Sequence, residues 1–289
     1  MEIITTETQD GLILHGQLFE SPQKENIIIH IHGMAGDLYL NSFYPAMQKD
    51  YPENGWSFLA TENRGTHSIT QFNTTEGRCV NIGNAYEKFE DCIYDIQGWI
   101  DKAKDLGYER IWLQAHSLGP SKVAYYMDNT PDNDIEGLIW LSPSDMLGLV
   151  KDPEGSEDHK ICYKQAKEFV KNGEGERILD HMLWDCYKLS ANTYLNFFDD
   201  GANTGIFNYK EALGRDIVNK IDKPVIAFSG TDDDGIAPVI DAYEGMKILE
   251  EQLKSSPRKE TYVYKDGVHD FIGFGEDITK RVLDFIDKE

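Results

Sequence analysis

Residues 111–121 combine a buried strand, a sharp turn and the start of a helix. The segment before Ser117 is apolar and β-prone, and a helical pattern of apolar residues follows Pro120. A proline is tolerated in a first helical turn, because that N–H has no partner within the helix. A strand that leads directly into a helix belongs to a fold in which strands and helices alternate. This segment therefore favours an α/β architecture and places a serine at the turn.

The residues around this serine have the small-x-Ser-x-Gly pattern. Ala115 and Gly119 lie two residues on either side of Ser117, where the strand and the departing helix crowd each other. Such a turn holds the serine in a strained, exposed elbow, where its hydroxyl meets a base and neighbouring N–H groups meet an oxyanion. The pattern predicts a nucleophilic serine, with Ala115 a tolerated departure from the usual glycine.

Strand and helix patterns alternate along most of the chain. Asp10-Gly11 is typical of a hairpin turn between the first two strands, which are therefore antiparallel. Later apolar runs are continuous, as in strands buried on both faces. The alternation predicts a mostly parallel, doubly wound sheet with its ligand site at the carboxyl ends of the strands. Predicted strands are Glu2–Thr8, Leu12–Phe19, Asn26–His32, Trp56–Thr61, 111–116, Gly137–Leu141, Val225–Ser229 and Thr261–Tyr264; predicted core helices are 42–51, 86–106 and Glu276–Ile286.

The segment 144–221 interrupts this alternation. It has no strand-like run, and helical patterns cover Lys160–Lys171, Arg177–Leu189 and Thr193–Phe198. We expect a helical cap over the strand ends, inserted into a core formed by residues 1–143 and 222–289. Its aromatic residues are expected to pack internally or to line the pocket.

Composition excludes several classes of function. The formal charge of −23 argues against nucleic-acid and anionic-membrane partners, since both require basic patches. No apolar run is long enough to span a bilayer, and the first ten residues lack the pattern of a secretory signal, so we expect a cytoplasmic protein. The four cysteines form no C-x-x-C pair, which predicts free thiols and neither a metal site nor a redox motif. The oligomeric state is left open.

A serine hydroxyl needs a base within hydrogen-bond reach, and His269 is the best candidate among eight histidines. It follows the last predicted strand on a turn-prone glycine and precedes the final helix, which places it at the same sheet edge as Ser117. The other histidines lie within early strands, point away from the serine, or lack a position at a strand end.

An acid is needed to orient this histidine. Asp233 is the first choice, because it follows the strand Val225–Ser229 at a turn that aims a carboxylate across the strand ends. Asp232 and Asp234 remain alternatives, and Asp145, after the preceding strand, is another, although a helix-capping role suits it better.

The third requirement is a pair of N–H donors for the oxyanion. The N–H of Leu118 follows the nucleophile directly. The N–H of Met34 is the second candidate, since Gly33 lets the backbone turn toward the site at the end of the strand Asn26–His32.

With these features the chain resembles the α/β-hydrolase family over nearly its whole length. The resemblance is carried by His32-Gly33, Arg64-Gly65-x-x-Ser68, 115–119, Gly230-x-x-Asp233 and Gly267-x-His269, in the family's order of Ser, Asp and His. It implies the fold, the triad, the oxyanion hole, and hydrolysis of an ester, thioester or amide through an acyl-enzyme without a metal or organic cofactor. Arg64 is expected to tie loops together. The stretch 189–200 is similar to uncharacterised hydrolases that include fungal siderophore esterases.

Three functions are consistent with these residues. The first is a serine hydrolase that cleaves a small or medium acyl ester. The second is a thioesterase or acyltransferase that uses the same triad on a CoA- or carrier-bound acyl group. The third is a non-catalytic protein that binds a small ligand on the same fold.

Overall fold

Strands and helices alternate in the computed structural model, which describes residues 1–131, 133–151, 156–211 and 214–287. The strands in these residues are β1 (Glu2–Glu7), β2 (Ile13–Phe19), β3 (Asn26–Ile31), β4 (Trp56–Thr61), β5 (Gln71–Asn73), β6 (Cys79–Asn81), β7 (Arg110–His116), β8 (Ile135–Leu141), β9 (Val225–Asp232) and β10 (Lys259–Val268). The helices are α1 (Tyr44–Glu53), α2 (Cys92–Asp105), α3 (Gly119–Asn129), α4 (Met146–Lys151), α5 (Ser156–Lys171), α6 (Ala191–Phe198), α7 (Arg215–Lys220), α8 (Ala242–Gln252) and α9 (Gly275–Ile286), with short 3₁₀ turns at Phe89–Asp91 and Asn203–Ile206.

Eight strands form one sheet in the order β1-β2-β4-β3-β7-β8-β9-β10. β1 and β2 pair antiparallel through the predicted Asp10-Gly11 turn, and β2 pairs antiparallel with β4. All the following pairs are parallel. The prediction of a mostly parallel α/β sheet is therefore confirmed, and the carboxyl ends of β3, β7, β8, β9 and β10 lie along one edge.

Both faces of the central strands are buried. In β3, Ile27, Ile29 and Ile31 pack into the core on one face, whereas Ile28 packs into the core on the other. Each of these isoleucines is fully buried. Burial on both faces explains why the central strands have continuous apolar runs rather than alternating ones.

Several predicted boundaries differ from the structure. β9 and β10 extend beyond their predicted ends, and the predicted helix 86–106 is shorter, because a 3₁₀ turn precedes α2 at Cys92. The predicted helix Arg177–Leu189 is wrong. That segment consists of turns joined by isolated antiparallel bridges, Ile178 with Ser190 and Leu183 with Tyr187. Its backbone finds partners across the segment, and this tertiary pairing overrides the helical spacing of its apolar residues.

The four cysteines are free thiols. Among the described helices, none has both the length and the apolar character needed to cross a bilayer.

A third apolar cluster joins residues of the predicted cap, including Leu183 and Phe198, to Met34 and Leu118 beside the strand ends. The segment 144–221 therefore packs directly against the sheet edge where the functional residues are expected.

Candidate active site

Ser117 occupies a left-handed backbone conformation directly after β7. Its φ is +63°, a value that residues other than glycine rarely adopt. The turn is tight: a methyl group added at Gly33 would lie 2.6 Å from Ser117 Cβ, and one at Gly119 would lie 3.3 Å from Ala115 Cβ. The crowding expected between Ala115 and Gly119 is present, and Gly33 is equally necessary. This strained elbow holds the serine at the end of the strand, against the wall of a pocket.

His269 and Asp233 form a short hydrogen bond at the same sheet edge. His269 Nδ1 lies 2.7 Å from Asp233 Oδ1, and a carboxylate partner makes this nitrogen the donor. Asp233 is fully buried and also accepts hydrogen bonds from the Gly235 N–H at 2.9 Å and the Ser229 hydroxyl at 3.3 Å. Since β9 extends to Asp232, Asp233 is the first residue beyond the strand. Its carboxylate is therefore fixed by three partners.

The alternative acids lie in different environments. Asp234 Oδ1 is 3.6 Å from His269 Nδ1, but the Asp234 side chain is 84% exposed. Asp232 is exposed. Asp145 accepts the N–H of Gly148 at 2.7 Å and that of Tyr209 at 3.1 Å, so it caps α4 as the sequence suggested. Of the four candidates, Asp233 alone combines full burial with a close bond to His269.

The pKa values of the pair are shifted in opposite directions. Burial works to raise the pKa of Asp233, but the hydrogen bond and charge of His269 outweigh it and hold the pKa below 3.8. For His269, burial works to lower the pKa, but the hydrogen bond and charge of Asp233, with the charges of Asp234 and Asp270, raise it above 6.5. Each partner stabilises the charged form of the other, so an imidazolium at His269 is supported by its surroundings.

Two hydrogen bonds hold the backbone carbonyl of His269 in place. His116 Nε2–H donates to the His269 carbonyl at 3.0 Å, and the Ser142 hydroxyl donates to the same oxygen at 3.2 Å. Burial and the neighbouring His269 lower the pKa of His116 to about 3, so it remains a neutral donor. A methyl group at Gly235 would lie 2.8 Å from His269 Cε1, so only glycine leaves room for the ring. The prediction from sequence did not include Gly235, although a glycine two residues beyond a candidate acid is a usable signal.

Ser117 and His269 line one pocket. No hydrogen bond joins the Ser117 hydroxyl to the imidazole in the structure, although both residues belong to its described part. In structures without substrate such bonds are often long, and they tighten when substrate binds. The structure thus joins His269 to Asp233 directly and brings Ser117 to the same pocket.

Two backbone N–H groups are free at this position. Among the described residues, no protein acceptor takes the N–H of Met34 or that of Leu118. His32 fixes the turn that carries Met34, because its Nδ1–H donates to the Gly33 carbonyl at 2.8 Å and its Nε2 accepts the Asn63 N–H at 3.0 Å. Burial lowers the pKa of His32 to about 3, which keeps this clamp neutral. Both N–H groups are therefore available to an oxyanion.

The remaining histidines have other partners. His30 is fully buried within β3 and contacts Gln114. His15 pairs with Glu62, His159 with Tyr194 and His181 with Asp158. His67 lies near Tyr39 and Asp37. None of these described histidines lines the pocket with Ser117.

Arg64 has the loop-tying role expected from the sequence. Its guanidinium donates to Asp95 at 2.8 Å and to Asp10 at 2.9 Å, and lies 3.3 Å from Asp91. The side chain is only 4% exposed. It links the first hairpin turn to α2 and the preceding 3₁₀ turn, away from the pocket.

The pocket has a volume of about 410 Å³. This size suits a small organic molecule. The segment 144–221 contributes much of its wall, including Trp184 and Tyr187, whereas Tyr194, Phe197 and Phe198 pack into the interior. The lining residues are Met34, Ser117, Ser144, Met146, Leu149, Trp184, Cys186, Tyr187, Asp234, Gly235, Pro238 and His269.

Asp233, Asp234 and His269 also place one potential metal-ligand atom each within 4.8 Å of one another. His269 Nδ1 and Asp233 Oδ1 already bond to each other, so a metal ion would have to displace that hydrogen bond. The arrangement is better suited to orienting the imidazole than to holding a cation.

Comparisons with solved structures show which fold this is. Est1E from Butyrivibrio proteoclasticus, determined with ferulic acid bound, superposes with a TM-score of 0.65 at 21% identity, over 98% of this chain and 97% of that chain. The esterase Pf2001 of Pyrococcus furiosus gives 0.63 at 17% identity over 99% and 90%. The carboxylesterase CesB of Bacillus subtilis gives 0.59 at 15% identity over 100% and 92%. No protein-family model and no curated protein matches the sequence. The chain has the α/β-hydrolase fold.

Proposed function

We propose that this protein is a serine-dependent carboxylic ester hydrolase. The observation that carries the proposal is the buried Asp233–His269 hydrogen bond, 2.7 Å long, at the pocket that also holds the strained Ser117. The similarity to structures of esterases supports the same class of reaction. The substrate is a small or medium uncharged ester.

In this mechanism Ser117 Oγ attacks the ester carbonyl carbon while His269 Nε2 takes the hydroxyl proton. Asp233 holds the Nδ1–H tautomer and stabilises the imidazolium that forms. The N–H groups of Met34 and Leu118 bind the oxyanion, a donor pair in which each member typically contributes about 3 kcal/mol to lowering the barrier. His269 then protonates the leaving alcohol, and the acyl group remains on Ser117.

Water completes the reaction by similar steps, in which water replaces the Ser117 hydroxyl as the nucleophile. His269 takes a proton from water, the hydroxide attacks the acyl carbonyl, and the second oxyanion occupies the same two N–H groups. His269 returns the proton to Ser117 Oγ as the carboxylic acid leaves.

We further propose that residues 144–221 form a cap that selects the substrate, over a core of residues 1–143 and 222–289. Met146, Leu149, Trp184 and Tyr187 of that segment line the pocket. Loops and insertions over a rigid sheet commonly determine specificity. The free thiols accord with a reducing compartment such as the cytoplasm.

The charge of the pocket favours an ester over a CoA thioester. Among the described lining residues, Asp234 is acidic and none is Lys or Arg. The phosphates of CoA would meet this carboxylate and a chain of net charge −23 without a basic partner. An uncharged ester avoids that repulsion.

Labelling with a fluorophosphonate tests the proposal. The folded wild-type protein should react at Ser117, and Ser117→Ala should not, whereas Ser144→Ala, which removes another hydroxyl from the same pocket, should still be labelled. A folded wild-type protein that stays unlabelled and turns over neither esters nor thioesters would contradict the proposal. Tight binding of a small ligand without turnover would then favour a non-catalytic protein. In a protein that is labelled at Ser117, faster cleavage of acyl-CoA than of simple esters would favour a thioesterase.

A further inference from the structure

A tight turn in the segment 144–221 faces Ser117 with a strained aromatic residue. Leu183 and Tyr187 form an antiparallel bridge, and the residues between them reverse the chain. Trp184 and Asp185 have φ values of +53° and +52°. Consecutive positive φ values are usual for Asn-Gly or Gly-Gly, and a bulky residue there is a true outlier. Some other part of the structure must therefore hold Trp184 in this conformation.

Asp158 of α5 provides that restraint. Its Oδ2 accepts the Trp184 N–H at 3.2 Å, and its Oδ1 lies 2.6 Å from His181 Nε2. One carboxylate thus bonds both to the turn and to the residues that lead into it. Leu183, which is 1% exposed, anchors the start of the turn in the apolar cluster beside Met34 and Leu118. The turn is fixed at its base, and its tip faces the pocket.

The tip of this turn forms an aromatic wall. Trp184 and Tyr187 line the pocket, with ring centroids 6.0 Å apart and planes at 79°. Behind them, the Phe198 ring packs edge-on against Trp184 at 6.1 Å. The half-buried indole therefore keeps surface for a ligand while its position is set by two other rings.

Apolar residues extend this wall around the pocket. Met34, Met146, Leu149 and Pro238 line it as well, and its volume of about 410 Å³ is far larger than an acetyl group requires. A flat apolar group of the substrate would gain contact with the indole and displace water from these side chains.

We propose that the turn 183–187 is the element that selects the substrate, with Trp184 contacting an aromatic group of an uncharged ester and Asp158 acting as a positioning residue. This inference rests on the proposed function. It assigns the substrate class as esters that carry an aromatic ring on the acyl or the alcohol side, preferred over esters of two short alkyl groups.

Three uncharged esters test the inference, with acid release followed by pH-stat. Ethyl acetate has no ring, ethyl 3-phenylpropanoate has a ring on the acyl side, and benzyl acetate has a ring on the alcohol side. The wild-type protein should prefer at least one aromatic ester to ethyl acetate by about tenfold or more in kcat/KM. Trp184→Gly should bring kcat/KM for the preferred aromatic ester down to about that for ethyl acetate, mainly by raising KM for the aromatic ester.

Variants at two positions, Asp185 and Asp158, separate the effect of the ring from that of the backbone strain. Asp185→Gly relieves the strain of the left-handed conformation but keeps the Trp184 indole, so it should retain the aromatic preference. Asp158→Ala should lose much of the preference, and Asp158→Asn should restore part of it, because an amide oxygen still accepts the Trp184 N–H. Thermal unfolding and the rate of fluorophosphonate labelling establish that each variant is folded and has an intact Ser117.

The two proposals fail in different ways. If all three esters and the fluorophosphonate leave the folded wild-type protein unchanged, the proposed function is wrong. If the esters are hydrolysed but the wild-type protein shows no aromatic preference, or Trp184→Gly slows all three by the same factor, the selecting role of the turn is wrong and the proposed function stands.

Discussion

The sheet edge that carries Ser117, Asp233 and His269 differs in construction from the turn 183–187 that faces it. Ser117 and Asp233 follow the largely buried strands β7 and β9, and His269 follows β10, the outermost strand of the sheet. The turn has no place in the sheet, and its conformation depends on Asp158 and on ring packing. The proposed chemistry therefore depends on residues at the ends of sheet strands, whereas the proposed substrate selection depends on a turn outside the sheet.

The strongest test of this contrast removes the proposed nucleophile. Ser117→Ala should lower kcat by a factor on the order of a million, as expected when the nucleophile of a working triad is lost. Ser144→Ala is the matched change within the pocket and should stay within about tenfold of wild type, since its hydroxyl bonds only to the Ser142 carbonyl among the described residues. Steady-state hydrolysis of a small ester measures both. Comparable losses in the two variants would break the assignment.

Replacing the proposed orienting acid should have the next largest effect. Asp233→Asn should lower kcat by about ten thousand-fold, because the amide cannot hold the Nδ1–H tautomer of His269. Asp145→Asn should cost less than about tenfold, since Asp145 bonds to the backbone of Gly148 and Tyr209. Both are measured at the pH optimum of the wild-type protein. A larger loss in Asp145→Asn would move the acid to the end of β8.

The turn 32–34, which carries the N–H of Met34, should be the next most sensitive feature. Gly33→Ala places a methyl group 2.6 Å from Ser117 Cβ and 3.1 Å from Leu118 N, so the elbow and its donor must shift apart. We expect a loss of about 100- to 1000-fold in kcat. Gly98→Ala, whose methyl group would meet its nearest neighbour at 3.3 Å, is the control at a buried glycine far from the pocket. Equal activity in the two variants would argue against a structural role for Gly33.

Relieving the backbone strain in the turn 183–187 should raise the stability of the protein. Asp185 has a φ of +52°, and glycine adopts this conformation freely. Asp185→Gly should therefore raise the free energy of unfolding by about 0.5–1 kcal/mol, measured by urea denaturation. The reverse substitution, Gly77→Ala at a φ of +75° in open space, should lower it by a similar amount. A destabilised Asp185→Gly would show that the turn is not strained.

The smallest effect concerns pH. His269 acts as a base only when neutral, so kcat/KM should rise with pH through its pKa, which lies above 6.5. The Asp234 carboxylate contributes to that elevation, so Asp234→Asn should move the acidic limb of the profile to lower pH. Asp232→Asn, at the exposed neighbouring position, should leave the limb in place. A limb that moves to higher pH in Asp234→Asn would contradict the electrostatic assignment.

The sequence predicts the sheet edge well, because strand ends follow from local patterns. The runs before Ser117, Asp233 and His269 are apolar and β-prone, and parallel strands bring their carboxyl ends together. The same reasoning selected Met34 and Leu118, since each follows such a strand end through a short turn. The patterns that define these strand ends involve only neighbouring residues, so a single sequence is enough to place the residues at one edge of the sheet.

The segment 177–189 could not be predicted in this way. Its apolar spacing indicates a helix, yet Leu179 N–H donates to the Leu189 carbonyl at 2.9 Å, and the chain folds back at Trp184. The bond from Asp158 that holds this turn comes from a helix earlier in the chain. Contacts of this kind depend on the assembled fold, and the pocket wall formed by Trp184, Cys186 and Tyr187 depends on them.

Mass spectrometry of the protein quenched in acid during turnover tests the central claim most directly. A slowly hydrolysed ester should add one acyl group to the chain, located on the peptide that contains Ser117, and Ser117→Ala should acquire none. Cys186 carries the one thiol that lines the pocket among the described residues, and it provides the sharpest alternative nucleophile. Acylation of Cys186 in its place, or rapid turnover with no adduct on Ser117, would contradict the proposed mechanism.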